Sequence, residues 1–180
     1  MTNVAVPPLH VLSICSGVGG LDLGVHRAFA RAGFRARTVC YVEREAFAAS
    51  VLVSRMEEGA LDPAPVWSDL TTFDPGPWAG VVDCIAGGIP CQPFSVAGKK
   101  REHADERHLW PYVERFAQVL RPRFVLIENV GGHLARGTPD VARSLRAMGY
   151  EAAATLWRAS DIGAPHRRER IFILGVASGA

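Results

Sequence analysis

The stretch LHVLSICSGVGGLDLGVHRAFARAG, residues 9–33, decides the fold. Its first part is an apolar, β-rich run that stops at the glycine turn SGVGG. Leu21, Val25, Ala28, Phe29 and Ala32 then recur at helical spacing until Gly33, a natural stop signal. Strand, glycine turn and helix in that order form the opening unit of a parallel α/β sheet. Glycines between a strand and a helix let backbone N–H groups approach a ligand closely. The turn falls short of a GxGxxG dinucleotide fingerprint, because position 22 holds Asp22. A nicotinamide dehydrogenase is therefore the weakest of the enzyme readings.

The same alternation continues along the chain. RTVCYVE reads as a second strand ending at Glu43, followed by a helix with Ala49, Leu52, Val53 and Met56 on one face. PAPVWSDL offers a brief third strand. GVVDCIAGG is apolar enough for a central strand. Pro111 opens a helix whose Val113, Phe116, Ala117 and Leu120 face the sheet. RFVLIENV is a strand ending at Glu128, and a further helix carries Val141, Ser144, Leu145 and Met148. YEAAATLWRA and RERIFILGVA form a terminal pair of strands with an antiparallel, hairpin-like edge. The predicted fold is α/β, a mostly parallel central sheet with helices on both faces. No repeat, linker or low-complexity tract divides the chain, so residues 1–180 are expected to form one domain.

Composition narrows the class further. The chain has 180 residues, 48% of them hydrophobic, enough for one core. A net charge of +2 excludes a histone-like polycation yet permits local contacts to phosphates. Its four cysteines, Cys15, Cys40, Cys84 and Cys91, form no CxxC pair, which indicates neither a zinc site nor a disulfide scaffold and fits a reducing cytoplasm. No run is long and apolar enough to span a bilayer.

Chemistry concentrates where the predicted strands end, because parallel strands bring their carboxyl ends to one edge of the sheet. The loop GGIPCQPFSVAGKK, residues 87–100, places Cys91 between Pro90 and Pro93, which exclude regular structure there. Lys99, Lys100 and Arg101 read as a phosphate-facing segment. Glu43 at the second strand's end is placed to accept ribose hydroxyls. Glu128, next to Asn129, ends an apolar strand where a buried carboxyl can donate a proton. HRRER precedes a strand whose alternation would aim Arg168 and Arg170 to the same side.

Together SICSGVGGLDLG, YVERE, SDL, GGIPCQPFS, IENV and HRRERIFILG resemble, in order and spacing, the cytosine carbon-5 DNA methyltransferases. The resemblance runs from about Ser13 to Val176. It implies a Rossmann-like S-adenosylmethionine-dependent methyltransferase fold and methyl transfer to carbon 5 of a cytosine flipped out of duplex DNA. By this resemblance Cys91 is the covalent nucleophile, Glu128 holds ring nitrogen 3 and the exocyclic amine, and Arg168 and Arg170 flank the base. The implied cofactor shell comprises Cys15, Ser16, Gly17, Val18, Gly19, Gly20, Glu43, Asp69, Leu70 and Pro90. Gln92, Ser95, Lys99, Lys100, Arg101 and Asn129 are the implied substrate contacts, and no metal is expected.

The chain departs from the family at Cys15, where Phe is common, and at His166, where Gln is usual. It also ends before the family's target-recognition domain and final motif, so a second polypeptide carrying target recognition is the expected partner. Cytoplasmic, nucleoid-associated placement in a prokaryote or phage goes with that resemblance. The rival readings are a transfer-RNA cytosine methyltransferase of the same family and a catalytically silent regulatory subunit.

Overall fold

A computed structural model describes residues 7–89, 109–131 and 138–179. The elements run β1 (Leu9–Ile14), α1 (Gly20–Arg31), β2 (Ala36–Val42), α2 (Ala46–Glu57), β3 (Val66–Trp67), β4 (Cys84–Gly88), α3 (Trp110–Leu120), β5 (Phe124–Val130), α4 (Thr138–Ala147), β6 (Tyr150–Arg158) and β7 (Glu169–Ala177). The strands form one sheet in the order β3-β2-β1-β4-β5-β7-β6. Neighbours from β3 to β5 are parallel, whereas β7 lies antiparallel between β5 and β6. The expected antiparallel edge is therefore present, with the last strand inserted inside the one that precedes it.

Side-chain alternation divides the core. Leu12, Ile14, Ile85, Val125, Ile127, Ile171 and Ile173 point to one face, where they pack with Val113, Phe116 and Leu120 of α3 and Val141 and Leu145 of α4. On the other face Val11, Cys84 and Ala86 meet Val25 of α1, and Tyr41 meets Leu52 of α2. Burying a Leu, Ile or Phe side chain contributes roughly 1.5–3 kcal/mol, so these two layers supply most of the folding drive. Pro111 sits in the first turn of α3, as expected, and Arg121 closes that helix in a left-handed conformation.

Two sequence expectations change. The buried residues of α2 are Ala48 and Leu52, while Val53 is exposed. That helix packs on the narrow flank formed by β2 and β3, which covers a thinner stripe than its apolar residues offer. Strand β5 also continues beyond Glu128 to Val130, because β7 supplies hydrogen-bonded partners for Asn129 and Val130.

Beyond α1 the sheet is less covered. The side of β5, β7 and β6 that carries Leu126, Phe172 and Thr155 is flanked by the short 3-10 turn Ala159–Ile162. A groove of about 480 Å³ opens there, lined also by Trp157, Ile162 and Arg168. Trp157 and Ile162 are more than half exposed.

Candidate active site

The glycine turn is built by backbone conformation. Strand β1 stops at Ile14 because Cys15 turns left-handed (φ 47°), and Gly17 (φ 54°) and Gly19 (φ 79°) follow in kind. Left-handed residues alternating with ordinary ones turn successive N–H groups into a concave cradle. Gly19 is needed for a second reason: a Cβ there would lie 2.5 Å from Leu61 Cδ1. The turn is tied to the end of β2, with Ser16 N donating to Val42 O (3.2 Å) and Gly17 N donating to Glu43 Oε2 (2.7 Å).

Glu43 is thus held by backbone on both oxygens, since Oε1 accepts from Glu45 N at 2.7 Å. A carboxylate has about four acceptor positions, so two remain for vicinal hydroxyls. Cys15 lines this corner as an inert thiol: burial, then the charge of Glu43, push it up to about 12. Val18 projects from the turn 42% exposed. Asp69 lies past β3 with Oδ1 accepting from the amide and the hydroxyl of Thr71, and these bonds hold its carboxyl below the usual range. Leu70 is buried in the core, and Gly20 begins α1 at the surface. The Glu43 carboxylate, with acceptor capacity left at the end of β2 beside the glycine turn, fits the ribose hydroxyls of S-adenosylmethionine.

A second cluster forms where β4, β5 and β7 meet. Gly88 is paired in register with Glu128, and a Cβ on Gly88 would lie 3.1 Å from Glu128 Oε2. Glycine therefore leaves room for the carboxylate above the end of β4. Arg170 Nε donates to Glu128 Oε1 at 2.7 Å, and its Nη1 donates to Glu169 O at 2.8 Å. The guanidinium is gripped from two sides while a quarter of its side chain stays exposed. Such a planar, charge-assisted arrangement gives a fixed orientation that a lysine could not reproduce.

Arg168 also lines the groove beside Arg170, though by another route than strand alternation. It precedes β7 with φ 30°, so a left-handed turn redirects its side chain. Asn129 follows Glu128 in β5 and so points to the opposite face, where it is buried and its Oδ1 accepts from Val130 N. Pro90, Cys91, Gln92, Ser95, Lys99, Lys100 and Arg101 lie outside the described residues.

Two supports were not legible as such. Glu169 accepts from Arg158 Nε (2.9 Å) and Arg167 Nη2 (3.0 Å), which anchors the arginine segment to β6. Asp22 is buried behind the glycine turn. Its spacing with Val25 and Phe29 marks the inward face of α1, a signal open to detection as a polar residue on an apolar stripe. Among the described residues no group of three or more His, Cys, Asp or Glu is arranged to hold a metal ion, and no helix is long and apolar enough to cross a membrane.

The sheet order with its reversed β7 defines the Rossmann-like class of S-adenosylmethionine-dependent methyltransferases. The family model for C-5 cytosine-specific DNA methylase matches residues 9–180, and the chain belongs to that family. It is 34% identical over 172 residues to Type II methyltransferase M.NaeI of Lentzea aerocolonigenes, covering 93% of this chain and 40% of the relative. It is 32% identical over 170 residues to Type II methyltransferase M.NgoMIV of Neisseria gonorrhoeae, covering 92% and 51% respectively.

Among solved structures, a putative DNA modification methyltransferase encoded within an Escherichia coli prophage aligns with TM-score 0.71 and 30% identity, covering 94% of this chain and 47% of that one. A Spodoptera frugiperda DNMT2 mutant aligns with TM-score 0.74 at 23% identity, over 95% and 50%, a likeness of fold alone. The chain thus spans about half or less of the length of these proteins.

Proposed function

We propose that residues 1–180 form the catalytic and cofactor-binding domain of a DNA (cytosine-5-)-methyltransferase that uses S-adenosylmethionine. The observation that carries this reading is the Glu128–Arg170 pair seated over Gly88, three residues before Cys91 in the sequence.

Carbon 5 of cytosine is too weak a nucleophile to take an alkyl group unaided. Cys91, as thiolate, forms a bond to carbon 6 and drives the ring's electron pair toward carbon 5. Glu128 binds ring nitrogen 3 and the exocyclic amine, stabilising the charge that develops there. Arg170 holds Glu128 and contacts the base carbonyl oxygen, with Arg168 on the flank. S-adenosylmethionine, when bound, supplies an electrophilic methyl group to carbon 5. Loss of the carbon-5 proton then allows the carbon–sulfur bond to break, which returns Cys91. Glu43 with the 15–20 turn would hold the ribose and tail, Asp69 the adenine amine, Leu70 the adenine ring, and Pro90 the approach to Cys91.

A cytosine stacked in a duplex cannot present carbon 6 to a thiol, so the substrate nucleotide is flipped into the site. Gln92, Ser95 and the basic run Lys99, Lys100 and Arg101 are the proposed substrate contacts, the basic run meeting phosphates in a salt-dependent manner, whereas Asn129 faces away from Glu128 and serves the strand instead. A second polypeptide is the proposed carrier of target recognition. The exposed apolar groove beside Arg168 supports this, because a surface of that kind marks an interaction site.

The test measures transfer of label from S-adenosylmethionine to mixed-sequence DNA and to transfer RNA, by the chain alone and with its neighbouring gene product, in wild type and Cys91→Ser. Transfer to DNA that vanishes in Cys91→Ser is expected, together with covalent trapping on DNA containing 5-fluorocytosine. Transfer that persists in Cys91→Ser rejects the nucleophile, and label appearing only in RNA rejects the polymer.

A further inference from the structure

Asp22 lies in the first turn of α1 and is only 2% exposed, although an acid at this helix position would ordinarily face water. Its Oδ2 is 3.0 Å from Ser13 Oγ, and Oδ1 is 3.5 Å from Thr38 Oγ1. Ser13 Oγ is in turn 2.9 Å from Ser16 Oγ, which lies 3.4 Å from Val42 O. Ser13 and Ser16 are buried as well. A chain of hydrogen bonds therefore runs from α1 through the end of β1 into the glycine turn and reaches the end of β2.

Each hydroxyl carries one hydrogen, so this chain has a direction. With Asp22 as carboxylate, Ser13 donates to it and the Ser16 hydrogen is shared between Ser13 Oγ and Val42 O. With Asp22 protonated, donation runs from Asp22 to Ser13, from Ser13 to Ser16 and from Ser16 to Val42 O. In both arrangements Asp22 is the end of the chain that lies on α1. An apolar side chain in its place cuts the bond that ties Ser13 to α1, and leaves Ser13 to donate to Ser16 and Ser16 to Val42 O, beside Gly17, whose N–H is bonded to Glu43.

We propose that Asp22 is a positioning residue for the cofactor turn, acting through Ser13 on Ser16 and so on the spacing of the Gly17 N–H and Glu43. This rests on the reading of that turn as the S-adenosylmethionine site. Asp22 touches no ligand in this role. It sets the relative placement of α1, β1 and β2 where they meet at the glycine turn.

Binding of S-adenosylhomocysteine is measured by calorimetry for wild type, Asp22→Leu, Asp22→Asn, Ser13→Ala and the Ser13→Ala/Asp22→Leu double variant. Amide exchange at Ser16 and Gly17 is measured on the same proteins without ligand. Asp22→Leu and Ser13→Ala each weaken binding about 10-fold, the scale of one buried hydrogen bond. Asp22→Asn, which keeps an acceptor for Ser13, stays within about 3-fold, and the double variant is no more than about 2-fold worse than either single one, as members of one network behave. Exchange at Ser16 and Gly17 quickens in the two single variants while β5 keeps its protection.

Additive losses, or wild-type affinity with unchanged exchange in Asp22→Leu, overturn the proposal. Should Asp22→Leu fail to fold, Ser13→Ala and Asp22→Asn decide it. A wild-type protein that binds no S-adenosylhomocysteine sinks the cofactor reading, and the exchange measurement still settles the role of Asp22.

Discussion

Glu128 and Arg170 are joined across two strands although they are not register partners: Glu128 faces Phe172, and Arg170 faces Val130. The arginine reaches back along β5 to place Nε 2.7 Å from Glu128 Oε1. Arg170→Ala should lower methyl transfer by about 100-fold or more, the scale of losing a preorganised charged contact. The melting temperature should fall by only a few degrees, because a partly exposed ion pair contributes about 1 kcal/mol or less. Arg170→Lys keeps the charge without the planar fork and should resemble Arg170→Ala in kinetics. Full transfer by Arg170→Ala would remove the pair from the mechanism.

Adjacent glycines at the end of β4 should respond in opposite ways. A Cβ on Gly87 would fall against Ile14 Cγ1 and lie 2.5 Å from Ile14 O, so Gly87→Ala forces β1 and β4 apart. Overpacking of this kind costs about 1–3 kcal/mol and shows as a lower melting temperature. Gly88→Ala pushes only on the Glu128 carboxylate, so transfer drops with little change in melting temperature. Equal stability losses at both positions would contradict the assignment.

The thiols divide by environment. Burial pushes Cys15 up to about 12 and Cys40 up to about 11, and raises Cys84 as well. Since the thiolate is the reactive form, iodoacetamide at pH 8 should leave these three unmodified in the folded protein, and any rapid labelling should fall on Cys91. Peptide mass spectrometry after a timed quench reads this directly. Prompt alkylation of Cys15 would show that the turn is open.

Asp22 provides a pH signature for stability. Burial raises its carboxyl above the ordinary value, against the opposing pull of Ser13, its own backbone, His26 and Thr38. Above about pH 3.8 the unfolded chain releases a proton that the folded protein still holds. Stability from this group therefore falls as pH rises, until the folded carboxyl also ionises. Asp22→Asn does not titrate, so its melting temperature should improve relative to wild type through that window and then run parallel. A calorimetric series from pH 3.5 to 8 checks the sign, and a difference of opposite slope would refute it.

Much of this protein was legible locally. The apolar run before SGVGG, the helical recurrence of Val25 and Phe29 and the placement of Pro111 are properties of neighbours in sequence, encoded by periodicity and backbone preference. The strand-end residues Glu43, Cys91, Glu128 and Arg170 could be nominated on that basis, and the family followed from their order.

Tertiary structure decided what no short window contains. Insertion of β7 between β5 and β6 lengthens β5 past Glu128 and delivers Arg170 to it, because strand pairing joins segments far apart in the chain. The left-handed backbone at Arg168 and the thin stripe buried by α2 likewise answer to neighbours that periodicity cannot name. For Asp22 the spacing with Val25 and Phe29 marks an inward position, but only the convergence of α1, β1 and β2 supplies the hydroxyls that satisfy it.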